Sequence, residues 1–594
     1  MIPREILKKI RQIELCPNRI VTVGIGLCLS GVFSAFAEPR AVTEQRVAVI
    51  RDHLACRYFS LTPDLKHIAF VTGEGNAHVV KERKPRESIL KPSSTLQPFA
   101  SETVVVRLDN TKEMVVVDGS DIGRFDAVFP PILFSSDGQH SAFQAMDQSK
   151  QSYAVLDGKR LPSHRQASAL KFSTTGGHLA YIAHGEDPLT KKNKYCAVLD
   201  GKEQPWCDAM LDSGEGMYFS PDGQRFVWTG FRRCQEGVGP GPMDYFINVD
   251  GKEYGPYSED DRWPVTFSPD GKYFAFLFQR RSTNGDRKAF MMLDGTELPL
   301  NGRLACEKVV FSPDGSRLAY VAGGKVTVME VDGGKKQEWD GQSTSGVQFS
   351  PDSKRVAFVT KTYNGCQVVV DGVGGPRYFG IRGTPKFSPN SRHVAYVAET
   401  LDKATSRSQC LAIIDGVEQK PPLKSDFNDM DIVFSADGEH FGYLSESNGL
   451  ACAVVDGKTG TPFAGSAVGN SLIISSNGSR TAWLLNTSTR PGQISGLHAV
   501  VVDGQMQPRF DAIDPRSLRF SADGKHCAYV VTRSKEFGEF VVVDGIKSKT
   551  YTSLLPPEDY NSTRTNLFVF DGNNLIRYGA RTKTEILIVE EKIP

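Results

Sequence analysis

Six histidines share one address in this chain. His67, His140, His178, His393, His440 and His526 each stand three residues after an aspartate, or the residue that replaces it, in a short turn. Arg225, Arg317, Arg355 and Arg480 take the same place in other copies of that turn. Imidazole near carboxylate is what a metal site needs, but only when several such groups converge. Here the spacing is that of a repeat, so the side chains fall at the start of one strand in separate units. A shared metal site is therefore not expected, and no metal-binding residues are assigned.

The other chemistry-bearing residues read the same way. An aspartate in a turn hydrogen-bonds its own backbone two residues on, which explains Asp-Gly and Pro-Asp-Gly without catalysis. Calcium loops need several oxygens close together, and no Asp-x-Asp-x-Asp run occurs. The first turn also lacks the Ser-x-Asp-x-Gly-x-Thr-Trp spacing of a sialidase Asp-box. Cys196, Cys366, Cys410 and Cys452 sit at nearly one repeat position, four or five residues before a turn aspartate, and read as small buried hydrophobes. Cys207 and Cys234 flank one unit and are candidates for a disulfide in an oxidising compartment. No Cys-x-x-Cys and no Gly-x-Ser-x-Gly occurs, so neither a zinc or redox site nor a hydrolase elbow is indicated. The runs leading into the first turn carry scattered charges at Arg262, Glu307, Lys308, Asp431 and Arg516. An active site would have to be assembled from these, and no catalytic or cofactor-binding residues are assigned.

What positions all of these residues is a tandem repeat with a period of roughly 38 to 48 residues. One half of each unit reads Phe-Ser-Pro-Asp-Gly, as at 219–223, 267–271 and 311–315, followed by a run of the Leu318-Ala319-Tyr320 kind. The other half reads Val-Val-Asp-Gly, as at 454–457 and 542–545. Asp-Gly between apolar runs marks a hairpin, because glycine accepts the positive φ of tight two-residue turns. Four short strands joined in this way make one antiparallel blade. A blade with two open edges must pack against neighbours, which is the logic of a β-propeller.

The first turn recurs at Asp64, Asp137, Thr175, Asp222, Asp270, Asp314, Asp352, Asn390, Asp437, Asn477, Asp523 and Asp571. The second follows from Asp118 to Asp544, and Val589-Glu590-Glu591 replaces it in the last unit. The fold expected is all-β: tandem β-propellers of about twelve four-stranded antiparallel blades. Single propellers have about four to eight blades, so two six-bladed rings are expected, at 38–344 and 345–594, with five plus seven as the alternative. The last unit lacks an outer strand, which residues 45–50 could supply; both termini would then share a blade. The pattern resembles the bacterial WD40-like repeat of the TolB propeller, from about residue 58 onward. The resemblance implies the fold. Because the sequence ahead of the repeats leaves no separate α/β domain of the TolB kind, it does not extend to a Tol-system role.

The chain has 594 residues and a net charge of +1. That offers no global field for nucleic acid. Its amino terminus carries Arg4, Lys8, Lys9, Arg11 and Arg19 ahead of an apolar run at 20–36, and Ala35 and Ala37 form an Ala-x-Ala site. This reads as a signal peptide over 1–37, cleaved after Ala37, with an uncleaved anchor as the alternative. Leu27 before Cys28 is too large for the usual lipidation motif. Insertions fall in the connections between second and third strands, at 73–103, 184–194, 230–244, 279–288, 398–409 and 484–497. Segment 73–103 mixes charges with prolines and is expected to be mobile. Loops on a rigid scaffold are where recognition sits, and several are basic: Lys81-Glu82-Arg83-Lys84, Lys191-Lys192, Arg280-Arg281. The expectation is an exported, non-catalytic binding or scaffold protein, periplasmic or at the cell surface, with no cofactor. It would present its long-loop face to an envelope protein or an anionic polymer. The alternative is a propeller enzyme, a lyase or hydrolase of glycans or peptides, with its site at a ring centre.

Overall fold

The computed structural model describes residues 42–49, 56–62, 67–73, 78–80, 105–107 and most of 112–593. Within that last span it leaves out 119, 211–215, 234–242, 259–263, 282–286, 303, 305–308, 341–343, 363, 402–407, 424–431, 488–496, 534–537, 556–566, 573 and 583–584. The leader, the segment between 81 and 104 and most of the expected long loops thus lie outside the described residues.

The first turn builds the fold from one buried hydroxyl. In 267–273, the Ser268 N–H donates to the Tyr273 carbonyl at 2.8 Å, and the Gly271 N–H donates to the Ser268 carbonyl at 2.9 Å. Ser268 Oγ donates to Asp270 Oδ1 at 2.6 Å and accepts the Tyr273 N–H at 3.0 Å. Asp270 Oδ1 also accepts the Lys272 N–H at 3.2 Å. The aspartate tightens the turn, and the serine links its two ends. Ser135, Ser173, Ser220, Ser312, Ser350, Ser388, Ser435, Ser475 and Ser521 repeat the arrangement, none more than 3% exposed. In ten of the second turns the aspartate has φ between +42° and +53°, Asp332 being the exception. With the following glycine also positive, these are the mirror-image turns that match strand twist.

These turns generate twelve antiparallel sheets of four or five strands, eleven of them with their strands in sequence order. No α-helix occurs among the described residues; the single helical turn is the 3₁₀ segment Pro515–Ser517. The first strands of successive sheets adjoin, as Thr266–Phe267 does Val310–Phe311 and Thr344–Phe349 does Gly380–Phe387. The sheets are the blades of a propeller-like array. In the last blade, Val42–Val49 pairs antiparallel with Glu585–Lys592, so the strand expected near 45–50 supplies the outer edge. Glu44 anchors it: its carboxylate accepts from Lys549 Nζ at 2.7 Å and from the Tyr551 hydroxyl at 2.9 Å.

The core lies between blades, not within them. Eight of the seams carry an aromatic ring pair. Seven residues after the second-turn aspartate, at the outer strand's end, a side chain packs on the next blade's second strand. The pairs are Phe125–Phe143, His164–Tyr181, Tyr257–Phe276, Trp339–Phe358, Tyr378–Tyr396, Phe463–Trp483, Phe510–Tyr529 and Tyr551–Tyr578, with centroids 5.1 to 6.5 Å apart. First turns also nest from blade to blade. A Cβ on Gly138, whose φ is +69°, would lie 2.7 Å from His67 Cδ2 of the preceding blade, so only glycine fits there. Where serine replaces that glycine, at Ser353 and Ser391, its hydroxyl accepts the N–H of Asp314 or Asp352 in the preceding blade, each at 2.9 Å.

The expected division at 344/345 falls one residue into the first strand of the seventh blade, Thr344–Phe349, at its junction with the sixth. The two blades pack through Val326, Val328, Phe349 and Phe358 as other neighbours do. Two six-bladed rings remain our proposal for how the twelve blades close.

Two variants test this frame. Ser268→Ala leaves the buried Tyr273 N–H unsatisfied, and the expected cost is about 1–3 kcal/mol by urea unfolding. Glu44→Ala, at a half-exposed ion pair, is expected to cost roughly 1 kcal/mol. An unchanged midpoint in the first would show that the hydroxyl is not structural.

Candidate functional site

Strands in each sheet alternate in direction, so the first and third hairpins of a blade share one side. Blade-to-blade connections and the second-to-third loops share the other. The two sides differ in chemistry.

On the turn side the six histidines find single partners. His67, His140, His178, His393, His440 and His526 place Nδ1 2.6 to 2.8 Å from Oδ2 of Asp118, Asp157, Asp200, Asp415, Asp456 and Asp544. In five of these pairs the other carboxylate oxygen accepts the N–H of the residue after the histidine, as at Leu179 with Asp200 (3.0 Å). Each aspartate therefore closes its own hairpin and clamps the second strand. Arg225, Arg355 and Arg480 make the same contact through Nε, with Asp250, Asp371 and Asp503. Being longer, they also reach the next blade: Arg225 to Asp294 at 2.8 Å and Arg355 to the Arg392 carbonyl at 2.9 Å. Arg317 bonds the Ser353 carbonyl of the seventh blade. The histidines are distributed one to a blade, as the repeat implies. No group of three or more His, Cys, Asp or Glu fit to hold a metal occurs among the described residues.

The hydrogen bond to Asp456 raises the His440 pKa above the ordinary histidine value, with burial opposing. A raised folded pKa means the pair's stabilisation is fully present below the unfolded value near 6.5. It is lost as pH rises through the folded pKa. Asp270 shows the opposite case. Its bonds to Ser268 and Lys272 hold its carboxyl at about 2, so its stabilisation persists above the ordinary value and is lost as pH falls toward 2.

Cys196, Cys207, Cys366, Cys410, Cys452 and Cys527 are buried free thiols. Burial pushes the Cys207 thiol up to about 12, and it donates to the Ala209 carbonyl at 3.2 Å. Cys234 lies outside the described residues. So do Arg262, Glu307, Lys308 and Asp431; Arg516 lies in the 3₁₀ turn, where its N–H donates to Asp514. The structure does not bring these candidates together among the described residues. Sequence reading missed a different set on the inner strands, the residue just before the first-turn phenylalanine. Lys171, Lys386 and Arg519 occupy it, and donate to the carbonyls of Met217, Ile432 and Phe568 in the next blade.

On the loop side a groove of about 530 Å³ opens between the second and third blades. One wall is the tight turn at 147–151. There Asp147 accepts the Ser149 and Gln151 N–H groups and pairs with Arg160 at 2.6 Å, setting Lys150 at φ +62°. The opposite wall is the base of the 184–194 loop, at Gly185, Glu186 and Asn193. That loop is described in full. Buried Asp187 orders it, accepting from the Leu189 N–H and the Thr190 hydroxyl and pairing with Lys194 at 3.6 Å. Leu189 stands 92% exposed at its tip. Of the expected basic residues, Lys191 pairs with Glu186 at 3.7 Å and Arg280 is held bidentate by Glu297.

The floor holds the unusual residue. His164 occupies the seam position that phenylalanine, tyrosine or tryptophan fills at seven other seams, and is 6% exposed. Its Nδ1 is 3.9 Å from Glu203, whose other oxygen accepts the Trp206 indole N–H at 3.2 Å. Its Nε2 is buried with no partner, as is the Tyr181 hydroxyl it packs against. Burial lowers the His164 pKa against the pull of Glu203, so the ring is neutral at neutral pH. Aligning the units at the seventh residue after the second turn would have exposed this histidine among aromatic neighbours.

No family model matches this chain, and no curated protein does. Among solved structures it is similar to a eukaryotic initiation factor, at 13% identity and TM-score 0.33, covering 64% of this chain and 96% of that one. It is similar to the tricorn protease at 15% identity and TM-score 0.22, covering 79% of this chain and 54% of that one. It is also similar to TolB from Acinetobacter baumannii at 16% identity and TM-score 0.19, covering 55% and 77%. This chain thus spans about half of the tricorn protease chain.

Asp456→Asn keeps the turn and its backbone bond but removes the carboxylate facing His440. The His440 midpoint, followed by NMR, is expected to fall toward the ordinary histidine value. A midpoint that stays raised would assign the shift to another neighbour.

Proposed function

We propose that this chain is an exported binding protein whose working side carries the second-to-third loops. The observation that supports this most directly is the groove floored by His164, a buried imidazole whose Nε2 has no partner, at a position where Phe125, Phe463 and Phe510 place a hydrocarbon ring in other seams. The turn side has an opening of its own, of about 390 Å³ beside Arg355, Asp371 and Asp415, but the Arg355 guanidinium there is engaged by Asp371 and by the Ser391 and Arg392 carbonyls. The basic leader and apolar run support export, to the periplasm or cell surface. Leu189, on a loop fixed by buried Asp187, is a rigid apolar tip for contact with an envelope protein or polymer.

A second reading has one specific observation behind it: two carboxylates, Glu186 and Glu203, line the same groove. Paired carboxylates are the machinery of glycoside hydrolysis. Glu203 already holds the Trp206 indole, which favours a positioning role.

Crosslinking of the tagged full chain in cells, followed by mass spectrometry, tests the binding reading. Leu189→Asp at this exposed tip is expected to change stability by less than about 0.5 kcal/mol and to abolish capture of envelope partners. Equal capture by the variant would overturn the assignment of the loop side.

A further inference from the structure

Resting on the binding reading above, we propose that the groove between the second and third blades is a site for a neutral saccharide. Trp206 forms its platform, and His164 Nε2 and Asn193 are its hydroxyl partners. The walls exclude the other ligand classes one by one. Lys150 and Arg165 face the groove together with Glu186 and Glu203. The formal charges cancel, so an anion meets two carboxylates and a cation meets two bases. An apolar ligand would strip water from all four without replacing its hydrogen bonds. A sugar offers hydroxyls that both donate and accept, spaced closely enough to serve mixed walls, and a C–H face for an indole ring. The volume, about 530 Å³, lies within the range of small-ligand pockets.

His164 is the second, independent support. A buried nitrogen without a partner is costly, a cost that the phenylalanine rings at the Phe125, Phe463 and Phe510 seams do not carry. A hydroxyl delivered to Nε2 satisfies it in either tautomer, since a hydroxyl both donates and accepts. Glu203 fixes Trp206 through the indole N–H at 3.2 Å and stands 3.9 Å from His164 Nδ1. One carboxylate thus positions both elements of the site before any ligand arrives, which limits the ordering cost of binding.

The test uses the full chain and a panel of neutral hexose, N-acetylhexosamine and pentose oligosaccharides, read by tryptophan fluorescence and calorimetry. His164→Phe installs the ring that Phe125 and Phe463 carry at other seams. It is expected to be at least as stable as the parent and to bind at least tenfold more weakly. Asn193→Ala is expected to weaken binding by a similar factor. No binding across the panel, or binding that neither variant weakens, overturns the saccharide assignment. So does binding confined to charged sugars. If saccharides fail while Leu189→Asp still abolishes envelope capture, the ligand class falls and the binding reading stands; if both fail, both fall. Hydrolysis of a bound oligosaccharide that Glu186→Gln abolishes would uphold the ligand class and replace the non-catalytic reading.

Discussion

The whole array depends on a serine hydroxyl that water never reaches. Folding a strand back through Phe-Ser-Pro-Asp-Gly buries backbone groups that the hairpin alone cannot satisfy. The seryl Oγ accepts one N–H and passes its own proton to the turn aspartate. Buried polar groups are tolerable only when so paired. The same turn must also present a residue without bulk to the blade before it, since Gly138 seats against His67. One pentapeptide therefore solves a local hydrogen-bond problem and a long-range packing problem together. That double duty explains why it recurs almost unaltered while loops of the same chain vary freely.

The second turn adds direction to this frame. Its aspartate spends one oxygen on the following strand and the other on histidine or arginine three residues past the first turn. Histidine closes the blade on itself. Arginine closes the blade and reaches across, as Arg225 does to Asp294. The choice between the two sets which seams carry a polar staple in addition to a ring pair, as Arg317 provides beside Trp339 on Phe358. Arg317 and Arg355 fall consecutively, so the sixth, seventh and eighth blades are tied by arginine as well as by apolar contacts.

The blades, both turns and the outer strand from the amino terminus were legible because they rest on local rules: glycine at positive φ, aspartate capping its own turn, alternating apolar runs. The histidines were legible as a repeat feature for the same reason. Their partners were not, because Asp200 and His178 meet across two hairpins that only the folded sheet brings together. Lys171, Lys386 and Arg519 escaped because they sit in apolar runs where a cation looks incidental. Their role depends on a carbonyl one blade away. His164 escaped for a subtler reason. Its setting is defined by the next blade's Tyr181, so only a comparison between units, not the residues around it, marks it as different.

That difference bears on where recognition can reside. In a repeat array every blade offers its neighbours nearly the same environment, and a surface made of identical closed pairs presents nothing a ligand can distinguish. Specificity has to come from a departure that the frame can tolerate. A departure in the first turn would break the nesting of two blades, and one in the second would release a clamped strand. The seam position at the outer strand's end is different: its side chain contributes packing area but no backbone hydrogen bond that the hairpins need. Substituting a ring nitrogen there costs packing and desolvation without unlocking the sheet. Of the eight ring pairs at the seams, only His164–Tyr181 brings an imidazole, whose Nε2 is buried without a partner. It does so where a tight turn on one side and an aspartate-ordered loop on the other hold a groove open. The scaffold's tolerance and the one imidazole among these pairs thus point to the same place.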